Sequence, residues 1–448
     1  MSGHRRKKPL DRQNAGYSIS SGFRMKTFIP NPVPLSMLTS TNNEKRKLKN
    51  LDNIRKDAET GNHKGDNIMI SKRSSQFTSF IVMDVMARAE ELERKGEHII
   101  HLEVGEPDFP TPGVITDAAI EALQTHKTRY THALGLLELR QAICENYLKE
   151  YGVEITPDQV LVSTGTSPLL LFAMLAILDS GDEVIVSNPR YPCYQNFILA
   201  AGGKLKEIQT YPEDGFQYRH KDIQKKLSRR TKAIMINSPC NPTGIVMTEG
   251  QLQDIAGFDG PYILSDEIYH GLVYRNREHS ILEFTDKAFV INGFSKRYAM
   301  TGWRLGYLIF PKKFSAVMQR IHQNFMISAS GFTQWAGIAA LQKAQEDVAK
   351  MVKVYDERRR YMLERLTDMG FTIHVEPTGA FYVFADGRRF FSDSYQEAFR
   401  ITEEAKVGVT PGVDFGSGGE GFLRFSYATS LDNIREGLNR LEGYLKKT

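Results

Sequence analysis

Short apolar runs at 159–163, 183–186, 233–236, 262–265 and 289–291, each set off by helical or loop sequence, limit this chain more than any other feature. A run apolar at consecutive interior positions has no face suited to water, so it belongs in a sheet covered on both sides. Strands that alternate with helices pair in parallel, because the helix carries the chain back across the sheet. The expected class is therefore α/β, with a mostly parallel sheet in a large domain. Beyond 313 the pattern changes. Helical sequence runs over 314–341 and 348–369, short strands over 380–384 and 421–426, and a last helix over 431–445. This predicts a second, smaller α+β domain.

Before the sheet, Val82, Val85, Met86, Ala89 and Leu92 recur at helical spacing, with Gly96 as a stop. A strand is expected at 99–104, and helices at 117–124, 138–151 and 169–178. Four regions follow: a basic extension at 1–68 that composition predicts to be disordered, an N-terminal segment at 69–106 joining the small domain, a large domain at 107–313, and a connecting helix with the small domain at 314–448.

The extension holds 14 Lys/Arg against 6 Asp/Glu, an excess of eight positive charges; the remaining residues hold 44 against 47, or −3. The net +5 of the chain thus belongs to its first 68 residues, and the body has no basic stripe for nucleic acid. Three readings of the extension compete: a mitochondrial presequence over residues 1–26, a nucleic-acid arm at Arg5-Arg6-Lys7-Lys8 and Lys45-Arg46-Lys47, or a natural start at Met69. The last is favoured, because M-I-S-K-R-S-S-Q-F leads directly into the helical pattern. No apolar run reaches the roughly 18 residues of a membrane span. Cys144, Cys193 and Cys240 are few and widely spaced, which fits neither a disulfide framework nor a zinc site. A cytoplasmic, reducing setting and no metal are expected.

Chemistry concentrates at 292–307, NGFSKRYAMTGWRLGY. Lys296 stands on a small-residue turn after the strand expected at 289–291, where α/β sheets build their sites. Alone, Lys296 also reads as a solvated loop charge, and lysine becomes a nucleophile toward carbonyls only when burial or cations depress its pKa. S-K-x-x-x-M-T-G-W-R-x-G-Y resembles the lysine signature of class I aminotransferases, fold-type-I enzymes that carry pyridoxal 5′-phosphate (PLP). The likeness runs from about residue 75 to the C-terminus.

That resemblance implies an aminotransferase moving the amino group of an L-amino acid to a 2-oxo acid through a Schiff base at Lys296. Several stretches acquire roles by the same likeness. The turn Gly165-Thr166-Ser167 before a helix would hold the phosphate on backbone amides, with Arg304 adding a charged fork. Asp266, at the end of the strand expected at 262–265, would face the pyridine nitrogen; by itself S-D-E also reads as a helix cap. Tyr269 would donate to the O3′ atom. N-x-P-x-N-P-T-G supplies Asn241, for O3′ and the substrate carboxylate. Tyr191, in N-P-R-Y-P, would stack on the ring. Arg424 resembles the arginine that grips the α-carboxylate, and Gly105 the glycine whose backbone faces it. Tyr130 resembles a tyrosine reaching the phosphate of a partner subunit, which implies a homodimer.

One position departs from the pattern: Gly293 stands where a phosphate-binding serine is frequent, leaving Ser295 as a candidate replacement. No second cation for a distal carboxylate can be placed, and Ile81 and Phe381 are expected to line a pocket for neutral or aromatic side chains. Two alternatives remain open. One is a PLP-dependent β-lyase or decarboxylase on the same fold. The other is a PLP-binding transcriptional regulator with residues 1–68 as its DNA module.

Overall fold

A computed structural model describes residues 70–275 and 277–447; the expectations for 1–68 and for a start at Met69 lie outside the described residues. Strand β1 is Ile100–His101. The main sheet follows with β2 (Val160–Ser163), β3 (Glu183–Asn188), β4 (Lys204–Gln209), β5 (Thr231–Asn237), β6 (Tyr262–Asp266), β7 (Ala288–Gly293) and β8 (Gly306–Ile309). Their order is β2-β8-β7-β6-β5-β3-β4, seven strands, with β8 antiparallel to both its neighbours and every other pairing parallel. The α/β class and mostly parallel sheet expected from the apolar runs are what the chain forms.

The central strands are buried at nearly every position, β7 throughout. Each Val, Ile, Leu or Phe so placed contributes roughly 1.5–3 kcal/mol of burial. Helices such as Thr166–Ile177 and Leu137–Tyr151 supply the cover. Strand β4, K-L-K-E-I-Q, was not expected; it is the sheet edge, where one flank meets solvent and lysines are tolerated.

Three corrections to the expected elements have local causes. The strand expected over 99–104 is only Ile100–His101, because Glu103 to Pro107 leaves the sheet to build the site. The helix expected over 314–341 is two, Ser315–Phe325 and Gly331–Lys343, broken where Ile327 takes φ +65°. Strand β8 was not expected, since it starts on the last two residues of the lysine stretch.

A second sheet joins β11 (Thr410–Pro411), β12 (Phe422–Ser426) and β9 (Tyr382–Asp386), all antiparallel. Residues Val407–Gly408 (β10) pair in parallel with β1. The C-terminal helix Leu431–Leu445 starts where the Ser430 side chain accepts from the Asn433 N–H. None of the described helices is long and apolar enough to cross a membrane.

Candidate active site

Parallel strands that end together leave their last residues along one edge, and α/β sheets place ligands there. Asn237 ends β5, Asp266 ends β6 and Gly293 ends β7. Asn237 and Asp266 are register neighbours, and the Asn237 Nδ2 donates to the Asp266 backbone O at 2.8 Å. Asn237 Oδ1 then accepts the Asn241 N–H at 2.8 Å, which ties the N-x-P-x-N turn to the strand ends. Above this edge lies a cavity of about 400 Å³. Of the twelve residues singled out in the sequence, it is lined by Gly105, Thr166, Ser167, Tyr191, Asn241, Asp266, Tyr269, Lys296, Arg304 and Arg424. Gly165 lies directly behind the wall, against Arg304, and Tyr130 lies elsewhere.

Lys296 projects into the cavity, where its Nζ donates to the Gly105 carbonyl at 2.8 Å. Loss of water around the ammonium brings its pKa down to about 8; Glu106 opposes this, while Arg304 and Arg424 reinforce it. Asp266 is buried and its pKa is pushed up to about 6, because burial disfavours the carboxylate. That rise is restrained by the Tyr194 hydroxyl, which donates to Oδ2 at 2.7 Å, by the Ile268 N–H, and by the charge of Lys296.

One end of the cavity is built from backbone. The helix Thr166–Ile177 begins after Gly165, which has φ +87° and no side chain to cap the first turn. The N–H groups of Thr166 and Ser167 therefore have no acceptor in the helix, and they carry its positive dipole end. Pro168 sits where a missing N–H costs nothing. Arg304 lies against Gly165 and donates from Nη1 to the Thr301 O at 2.9 Å. Gly293 and Gly306 face each other across β7 and β8. A Cβ at Gly293 would press to 3.1 Å on Gly306 Cα, and one at Gly306 to 2.8 Å on the Gly165 carbonyl carbon. At Gly293 any side chain would crowd the backbone of Leu305 and Gly306, which would have to give by a few tenths of an ångström to admit a serine. Ser295 does line the cavity.

At the other end, Arg424 is buried between two rings, 4.3 Å from the Tyr382 centroid and 5.2 Å from that of Phe415. Its Nη1 donates to Asn241 Oδ1 at 3.0 Å, and its Nη2 to Thr410 Oγ1 at 3.0 Å and to the Glu103 carbonyl. Its Nε is buried with no partner among the described residues. Tyr269 shares a hydrogen bond with the Tyr382 hydroxyl at 2.8 Å. Tyr191 stands edge-on to Phe80 (5.8 Å) and Tyr194 (5.3 Å).

The pocket expectation for Ile81 and Phe381 is corrected. The apolar lining comes from Phe80, Val82, Met83 and Met86, with Val104, Leu170 and Ile268, and Ile81 is not part of it. Side chains alternate along an extended chain, so Tyr382 enters the cavity and Phe381 packs behind, against Tyr355 and Tyr269. Tyr382 and Tyr194 went unnoticed in the sequence. The only signal for Tyr194 was a second tyrosine three residues after Tyr191. Tyr130 is 82% exposed, so the chain by itself gives its ring nothing to pack on.

Residues 97–441 match the family model for aminotransferase class I and II. A (5-formylfuran-3-yl)methyl phosphate transaminase from Methanocaldococcus jannaschii is 43% identical, covering 85% of this chain and 100% of that protein. The aspartate aminotransferase of Thermotoga maritima is 38% identical over 84% of this chain and 99% of its own. Among solved structures, Thermus thermophilus aspartate aminotransferase with maleate superposes with a TM-score of 0.80 at 37% identity, covering 85% of this chain and 100% of that one. A Methanococcus jannaschii structure, described as similar in its active site to kynurenine aminotransferases, gives 0.78 at 43% identity over 84% and 100%. Agreement of this extent, from the fold to the whole length of its relatives, makes the chain a member of the class I and II aminotransferases, PLP-dependent enzymes that pass an amino group between amino acids and 2-oxo acids.

Proposed function

We propose that the 400 Å³ cavity is the transamination site, that Lys296 is its reactive amine, and that its amino donors are neutral or aromatic L-amino acids. The observation that carries this reading is the unpartnered, buried Nε of Arg424 in the same cavity as the Lys296 amine. A buried donor without an acceptor is costly, and the carboxylate of an amino acid would satisfy it bidentately together with an Nη.

The residues present fit PLP. Free first-turn amides and Arg304 suit a phosphate, and the buried carboxylate of Asp266 suits a protonated ring nitrogen. Bound PLP would supply an aldehyde for amine condensation and a ring that accepts the electron pair left at Cα. Asp266 Oδ atoms would hold the charge on the ring nitrogen, and the Tyr194 hydroxyl would keep them ionised. Tyr269 would present its hydroxyl to O3′, oriented by Tyr382. Asn241 would orient the Arg424 guanidinium and share its hold on the carboxylate. Tyr191 would pack on the ring face. The Lys296 Nζ would take a proton from the substrate Cα and deliver it two bonds away, at the carbon that was the PLP aldehyde, with Gly105 O fixing its approach.

The pKa of Lys296 sets a pH dependence. Only the neutral amine attacks an aldehyde, and with a pKa of about 8 the ammonium dominates below that value. Capture of PLP by the apoenzyme, followed by its visible absorbance, is expected to speed up by about tenfold per pH unit below 8 and to level off above. A flat profile between pH 6 and 8 would show that this lysine is not the capturing group.

The relatives reported above are transaminases, so amino transfer is assigned in preference to β-elimination or decarboxylation. Phe80, Val82, Met83 and Met86 favour an apolar side chain, and Arg304 and Arg424 already serve the phosphate and α-carboxylate. The decisive assay measures 2-oxo-acid-dependent amino transfer across a panel of L-amino acids. The panel includes a furan aldehyde phosphate as acceptor, since a 43% identical relative is named for such a substrate. Neutral and aromatic donors should exceed aspartate in kcat/KM; a strong preference for aspartate would overturn the donor class.

The exposed ring of Tyr130 supports a homodimer in which it reaches the partner's phosphate site, and a monomeric active holoenzyme would remove that role. Division into a large domain at 107–313 and a smaller one at 314–448 is supported by the two separate sheets, and the joining of 69–106 to the latter by the β1–β10 pair. The free thiols of Cys144, Cys193 and Cys240 support a cytoplasmic setting.

A further inference from the structure

The helix Ile81–Arg94 has no cap of its own. Phe80 occupies the N-cap position and its ring cannot accept an N–H. The first free amides find their acceptor 333 residues away: Ile81 N–H donates to Asp414 Oδ1 at 2.9 Å, and Val82 N–H to Asp414 Oδ2 at 3.1 Å. Asp414 is buried in the short turn Gly412–Phe415, so this carboxylate is a fixed support rather than a surface contact. Its charge also faces the positive end of the helix dipole.

What this contact holds in place is the apolar wall of the cavity. Phe80, Val82, Met83 and Met86 all belong to the segment whose first amides Asp414 binds. The next residue, Phe415, lies under the guanidinium of Arg424. A single turn therefore supports both the arginine assigned to the α-carboxylate and the wall opposite, which would meet the substrate side chain. With the carboxylate and the amine anchored at Arg424 and Lys296, that wall is an apolar surface placed to meet a substrate side chain.

We propose that Asp414 is a positioning residue for donor selectivity, which locks the first turn of Ile81–Arg94 over bulky apolar or aromatic side chains. This rests on the assignment of the cavity as the amino-acid site. A donor as small as alanine does not reach the wall and is indifferent to its position, whereas phenylalanine depends on it.

The test compares Asp414→Asn with the unaltered holoenzyme. The substitution keeps the volume, removes the charge and leaves one acceptor in place of two. Amides of the first helical turn should exchange with deuterium about five- to thirtyfold faster, as for loss of a cap. The kcat/KM for phenylalanine should fall at least about fivefold through KM, that for alanine less than twofold, with the absorbance of bound PLP unchanged. Asp414→Glu, which keeps a carboxylate, should recover part of the phenylalanine value. Equal losses for alanine and phenylalanine would mean a merely structural role and overturn the proposal, as would unchanged amide exchange. If the unaltered protein transferred no amino group from any donor, the assigned function would fail instead, and the exchange rates would still decide whether Asp414 holds the turn.

Discussion

Lys296→Ala is expected to lose transamination by roughly four orders of magnitude or more, while still binding PLP. The size follows from two roles residing in one Nζ: covalent capture of the aldehyde and transfer of the proton at Cα, the second of which alone contributes on the order of 10²–10⁴. Removing the side chain leaves the first-turn amides of Thr166 and Ser167, Arg304 and Asp266 in place, so the cofactor should remain bound through its phosphate and ring. The loss is therefore in kcat rather than in occupancy. Absorbance should distinguish the two, since PLP held without the lysine linkage lacks the visible band of the unaltered enzyme. Turnover within tenfold of normal would end the assignment of Lys296. The Gly105 carbonyl, which Nζ now contacts at 2.8 Å, would be left without that donor.

Arg424→Lys should lower kcat/KM for every amino acid by roughly 30- to 5,000-fold, equivalent to about 2–5 kcal/mol for breaking one partner of a buried charged pair. An ammonium retains the charge but not the planar fork. The guanidinium here spends Nη1 on Asn241 Oδ1 and Nη2 on Thr410 Oγ1 and Glu103 O, and keeps Nε free. Lysine cannot make those bonds and still meet a carboxylate side-on, nor lie flat between Tyr382 and Phe415. The spectrum of bound PLP should be unaffected, because Arg424 is assigned to the substrate carboxylate and not to the cofactor. An unchanged KM for alanine and phenylalanine alike would place the carboxylate elsewhere.

The fold was legible where burial is two-sided. Strands β5, β6 and β7 are apolar on both faces, and no other element explains runs so short. Strand β4 was not legible, because an edge strand with two lysines looks like a loop. Nor was β8, whose G-Y-L-I begins at the end of a stretch read for its chemistry. Much of the site came through resemblance: S-D-E and T-G-T-S-P suit ordinary helix starts as well as a cofactor. Tyr382 shows the limit of residue-level reading. In F-Y-V-F any member could face the core, and a shift of one position exchanges cavity for core. The capping of Ile81–Arg94 was out of reach, since nothing near residue 81 announces a partner at 414.

The contact of Gly165, Gly293 and Gly306 has a consequence for how such a catalyst can change. The end proposed for the phosphate is shaped largely by main chain, which a substitution cannot trim and can only wedge apart. The end proposed for the substrate carries the side chains of Phe80, Val82, Met83 and Met86, each exchangeable one at a time. New donors can therefore be reached by single replacements along one helix, with the machinery that handles the cofactor left untouched.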